Sequence, residues 1–137
     1  MGKTRSELRE IIVQVLYESY ILDTAKINYN IDDLIKEQLE IENDFVKEMV
    51  YGVKDKQKEL VDIANTYLVD WEIDRLSKVD KAILSLGIYE LLFTKTPPIV
   101  AINEALELSH KYSDEKVVKM VNGTLDKIYK SPLYKES

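Results

Sequence analysis

Acid–base, nucleophilic and metal chemistry have few candidates in this chain. His110 is the one histidine, and Glu107 precedes it by three residues, a spacing that sets both groups on one helix face. Carboxylate-bridged metal centres in helical bundles need two such Glu-x-x-His pairs plus further glutamates. Glu90 and Glu104 are available as carboxylates, but the second histidine is missing. Serine-type triads and imidazole metal sites lack their partners for the same reason. Cysteine is absent, which removes thiolate nucleophiles, thiolate metal sites and disulfides, and fits a reducing compartment. No glycine-rich phosphate loop is present either. The residues therefore describe a protein that is not an enzyme and uses no metal and no cofactor.

Charge and aromatic rings offer the other chemistry, which is recognition. The net charge of −6 opposes a nucleic-acid partner, because neutralising phosphates supplies most non-specific affinity. The distribution matters more than the sum. Glu18, Asp23, Asp32, Asp33, Glu37, Glu40, Glu42, Asp44 and Glu48 face only Lys26, Lys36 and Lys47 in the first half. From Lys111 to Lys135 the sign reverses, with Lys111, Lys116, Lys119, Lys127, Lys130 and Lys135 against Asp114, Glu115 and Asp126. Screening over about 8 Å at physiological salt lets one face stay basic on an acidic protein. Lys3, Arg5 and Arg9 add cations at the N-terminus, where the plain reading is a solvated helix start.

The elements that must position these groups are helical. Four glycines and three prolines punctuate the chain, and apolar residues recur at three- and four-residue spacing almost throughout. A first helix is expected from about Thr4 to Leu22, with a Thr4/Glu7 capping box and Leu8, Ile11, Ile12, Val15, Leu16 and Ser19 on its inner face, Arg5, Arg9 and Glu18 lying off it. A short helix follows through Ile31, Leu34, Ile35 and Leu39. A long third helix, capped by Asn43 or Asp44 and running to Tyr67, is expected to be the spine of the fold. Ser77 caps a fourth that is apolar around most of its circumference. Pro97 and Pro98 stop it and start the next. Ser113 is expected to cap the last long helix, Asp114 to about Tyr129, in which Gly123 reads as a point of close helix contact. The fold class is all-α, six to seven helices in two small bundles sharing one core, over a single domain spanning residues 1–137. No signal-peptide core or membrane-length apolar run occurs, so a cytoplasmic protein is expected.

Four segments resemble the NusB family. They are Arg9-Glu10 followed by Gln14-Val15-Leu16-Tyr17; Val79 to Leu84 with Tyr89-Glu90-Leu91; Pro98 with Val100-Ala101-Ile102-Asn103-Glu104-Ala105 and Glu107-Leu108; and Val121-Asn122-Gly123 with Leu125-Asp126. A similar helical domain opens certain RNA cytosine methyltransferases, but the large catalytic domain that follows it there is not in this sequence. The stand-alone form is expected.

The resemblance implies a transcription antitermination factor. It would bind boxA-type single-stranded RNA together with the ribosomal protein NusE, within the RNA polymerase complex that transcribes ribosomal RNA operons. On the matching positions it places RNA against Lys3, Arg5, Arg9 and Tyr17, and against Tyr112, Lys116, Lys119, Met120 and Asn122. Flexible cations meeting phosphates beside a ring that stacks on an unpaired base is sound chemistry for such a site. Asp80, then Asp74, are the carboxylates it would present to a basic protein partner. The chain departs from the pattern at Ser6 and Glu7, where arginines are usual, at Ser85, also commonly arginine, and at Met120, commonly phenylalanine. The alternative is a protein-only adaptor that keeps the ribosomal partner and has little RNA affinity of its own.

Overall fold

Local hydrogen bonds decide where the helices start. The Thr4 hydroxyl accepts from the Glu7 amide at 3.1 Å while the Thr4 amide donates to the Glu7 carboxylate at 2.9 Å, closing the expected capping box. Asn30, Asn43, Ser77 and Asp114 cap later helices with one such bond each. Pro98 occupies the first turn of its helix, where its missing N–H is no loss.

The computed structural model describes residues 2–135, among which there is no strand. Its elements are α1 (Arg5–Thr24), α2 (Ile31–Gln38), α3 (Asp44–Asp55), α4 (Gln57–Tyr67), a 3-10 turn (Ile73–Arg75), α5 (Lys78–Phe93), α6 (Pro98–Tyr112) and α7 (Glu115–Tyr129). Helices α1 to α3 pack as one group and α4 to α7 as another, with α5 shared between them. Among the described residues no helix is long and apolar enough to cross a membrane.

The expected long third helix is in fact two. It breaks at Lys56, whose backbone (φ −100°, ψ 11°) leaves the helical region. No apolar residue lies between Val53 and Leu60 to hold that stretch against a single neighbour. Polar ties hold it instead: Gln57 accepts from the Tyr20 hydroxyl at 2.5 Å and donates to Ser85 at 3.3 Å, and Lys54 donates to Asp23 at 2.7 Å. Helix α3 then follows α1 and α2, while α4 follows α5 and α7. The spine is α5, buried without interruption from Ala82 to Ile88. Each leucine sealed in such a core contributes roughly 1.5–3 kcal/mol.

Glycine placement corrects another expectation. A Cβ on Gly87 would lie 3.2 Å from Leu125 and 3.3 Å from Ala105, so this is where α5, α6 and α7 approach closely. At Gly123 a Cβ would meet nothing within 4 Å. Gly123 therefore permits no helix contact; it borders open space. Ser113 is also reassigned. Asp114 caps α7, accepting from the Val117 amide at 3.0 Å, and Ser113 ends α6.

Candidate nucleic-acid and partner interface

The N-terminal cations divide into two kinds. Lys3 and Arg5 are exposed, and the Arg5 guanidinium lies 4.0 Å from the centroid of the Phe45 ring, which holds it at the surface beside α3. Arg9 turns inward and is only 5% exposed. Its Nε donates to Glu90 Oε1 at 2.7 Å and its Nη2 to Glu90 Oε2 at 2.9 Å, with Glu104 3.8 Å from Nη1. The hydroxyl of Thr96 donates to the same Glu90 carboxylate at 2.9 Å. The bond to Glu90 raises the Arg9 pKa. Arg9 is thus corrected from a surface cation to a strut fastening α1 onto α5 and α6. The sequence carried a signal for this: Ile12, Val13, Leu16 and Tyr20 follow at helical spacing and are all buried, so Arg9 continues the core stripe.

Two exposed rings border the middle of α1. Tyr17 is 38% exposed and Tyr112 41%. The Tyr112 hydroxyl donates to Glu10 Oε1 at 2.9 Å, and Lys111 Nζ donates to both Glu10 oxygens at 2.5 and 2.7 Å. The bond from Lys111, then that from Tyr112, lowers the Glu10 pKa. Burial, then the bond to Glu10, raises that of Tyr112. Glu10 and Tyr17 are two helical turns apart and share a face, so both rings flank one stretch of α1. His110 next door stands 3.7 Å from Glu115.

At the start of α7, Lys116 and Lys119 are exposed and Met120 is half-buried. Asn122 is exposed too, but it points about a third of a turn away from Lys116. The Lys116 ammonium lies 5.6 Å from the ring centroid of Trp71, which stands in the connection between α4 and the 3-10 turn. Its being the sole tryptophan in a connection between helices was the available signal. Helices α1 and α7 do not touch; the α6–α7 corner at Tyr112 and Ser113 joins the two patches.

The carboxylates expected to meet a protein partner also divide. Asp74 is exposed on the 3-10 turn and pairs with Lys81 at 2.9 Å. Asp80 is only 8% exposed. Its amide is capped by Ser77 at 3.1 Å and its carboxylate accepts a bond from the Ser113 hydroxyl. Asp80 is corrected from a presented charge to the fastening between the start of α5 and the α6–α7 corner. A helix N-terminus favours a carboxylate there, which lessens the cost of burying it against Ser113.

Against known proteins, the NusB family model matches residues 6–130. The transcription antitermination protein NusB of Clostridium perfringens is 37% identical over 133 residues, a match covering 93% of this chain and 97% of that protein. A solved structure of NusB from T. maritima is similar with a TM-score of 0.82 at 32% identity, over 97% of this chain and 95% of that one. A chain from a crystal structure of the antitermination factors NusB and NusE in complex with dsRNA gives 0.78 at 33% identity, over 95% and 98%. The fold, the matched span and identities above 30% over nearly the whole length agree: the chain belongs to the NusB family.

Proposed function

We propose that this chain is a transcription antitermination factor that binds boxA-type single-stranded RNA together with the ribosomal protein NusE, in the RNA polymerase antitermination complex acting on ribosomal RNA operons. It works by binding rather than catalysis, in the cytoplasm where transcription takes place. The observation that carries this reading is the similarity along almost the entire chain to a NusB solved with NusE and dsRNA. The geometry supports it. Lys3 and Arg5, the rings of Tyr17 and Tyr112, and Lys116 and Lys119 are all exposed and available to a ligand. Such cations can meet phosphates and such rings can stack on unpaired bases.

Because Arg9 is withdrawn into the core, two N-terminal cations remain for phosphate. Each contact on a single strand contributes about 0.7 to the salt slope, so removing Lys3 and Arg5 lowers it by at most roughly 1.4. Asp74, exposed on an acidic molecule, steers a basic partner. Asp74→Lys slows that association, most at low salt.

The test is a titration of boxA-type RNA with the chain alone and with NusE, at several salt concentrations. Saturable binding that tightens with NusE and loses slope in the Lys3/Arg5 double variant supports the reading. The small number of free N-terminal cations favours a second reading, the protein-only adaptor. NusE binding with no RNA affinity beyond that of NusE itself establishes the adaptor in its place.

A further inference from the structure

One groove on the basic half is left unexplained by packing. It lies between the end of α4, the loop that follows, and α7, and is lined by Tyr67, Trp71, Lys116, Lys119, Met120 and Lys127. Its volume of about 310 Å³ is at the small end of ligand sites. Three features set it apart. First, among the described residues none of Lys116, Lys119 and Lys127 has an ion-pair partner, whereas Lys47, Lys54, Lys81, Lys111 and Lys130 each face a carboxylate. On a chain of net charge −6, three lysines without an ion-pair partner line one groove along α7. Second, the groove has an aromatic wall fixed from below. Leu68 and Ile73 anchor the loop in the core at 8% and 0% exposure, the Asn65 side chain accepts from the Ile73 amide at 2.8 Å, and Asp70 takes a left-handed turn (φ 64°) between them. That leaves Trp71 exposed at 38%. Third, Gly123 also lines the groove, in the interior of α7, where a glycine weakens a helix and where a Cβ would meet nothing. Packing gives no reason for that glycine, and its bare surface leaves the groove floor open.

We propose that this groove is a nucleotide subsite: an unpaired RNA base lies over the Gly123 surface against the Trp71 ring, and its flanking phosphates are met by Lys116, Lys119 and Lys127. The inference rests on the RNA-binding reading above and deepens it. Trp71 supplies the flat ring from the loop side of the groove, facing the α7 side where Met120 lies. Flat π-faces accept any base, so the contact contributes affinity more than sequence preference. Cations beside the ring favour a polyanion over a neutral apolar segment of protein.

Trp71 is the sole tryptophan of this chain, so emission, corrected for NusE measured by itself where NusE is present, reports this groove. The full chain, with and without NusE, is titrated with a labelled boxA-type RNA, reading tryptophan emission and RNA anisotropy together. Saturable quenching of Trp71 at the same midpoint as the anisotropy change is expected. Trp71→Ala should weaken binding about 5- to 150-fold, the range for losing one stacked base, with the salt slope retained, and Trp71→Phe should recover part of the loss. Gly123→Leu keeps the helix, melts no lower than the parent, and fills the groove; its RNA affinity should fall by about tenfold or more. RNA binding with unchanged emission, and undiminished affinity in both Trp71→Ala and Gly123→Leu, overturns the subsite and leaves the RNA-binding reading standing. Absence of RNA binding by the parent even with NusE overturns both. Emission that responds to NusE but not to RNA makes the groove a protein contact and overturns the nucleotide assignment.

Discussion

Arg5 and Arg9 are both helical arginines near the N-terminus, and their fates differ because of what stands opposite. Arg5 meets a phenylalanine at the surface, and Arg9 meets a carboxylate in the core. Breaking one side of a buried ion pair strands the other charge and typically costs about 3–5 kcal/mol, while replacing both sides by apolar groups of similar size is often neutral. Arg9→Met is therefore expected to lower stability by roughly that amount in a denaturant titration, and adding Glu90→Met should restore most of it. Arg5→Ala should change stability by less than about 1 kcal/mol, the scale of an exposed cation–π contact, and act on RNA instead. If Arg9→Met melted like the parent, the pair would not be holding α1 in place.

Between elements, two fastenings meet near the end of α6. The first joins α1 to α6 through Glu10, Lys111 and Tyr112. Since folding lowers the Glu10 pKa from its ordinary value of 4.5, this fastening adds stability that is fully present above 4.5. It is lost as the pH falls through the lowered folded value. Melting curves across the acid range should show Glu10→Gln less stable than the parent near neutrality and converging with it as the pH falls below 4.5 through the lowered folded value. Partial exposure keeps the effect small. The second fastening is Asp80 with Ser113. Asp80→Lys places an ammonium where a carboxylate accepts a bond, in a nearly closed site at a helix N-terminus. It is expected to cost about 3 kcal/mol or more. Thermal unfolding checks this, and an unshifted midpoint would return Asp80 to the list of free surface charges. Any loss of partner affinity in that variant would follow from the displaced corner and says nothing of a direct contact.

At the scale of the molecule, α5 is the axis around which the other helices assemble, and Leu84 and Leu125, both 0% exposed, sit in its contacts with the rest of the core. Leu84→Ala or Leu125→Ala should each cost about 2–5 kcal/mol, read as a lower denaturation midpoint with an unchanged helical circular dichroism spectrum. Charge is partitioned on the same scale. Acidic side chains outnumber basic ones between Glu18 and Glu48, and three unpaired lysines, Lys116, Lys119 and Lys127, stand on α7. A basic protein and a nucleic acid can then be drawn to different sides of one small acidic molecule, with less mutual interference at physiological screening.

The sequence by itself determined the features whose causes lie within a few residues. Thr4 with Glu7, Ser77 and Pro98 were legible as helix starts, because a cap bonds an amide only three residues away. The helical period and the family segments were legible for the same local reason. Tertiary structure alone decided the direction of Arg9, which is set by a carboxylate 81 residues further on, and that of Asp80, set by a serine 33 residues away. It also decided the break at Lys56, the open space above Gly123 and the nearness of Trp71 to Lys116. Periodicity says which residues share a face. Whether a charge on that face is buried and paired, or left in water for a ligand, depends on the element that packs across from it, and no local pattern records that.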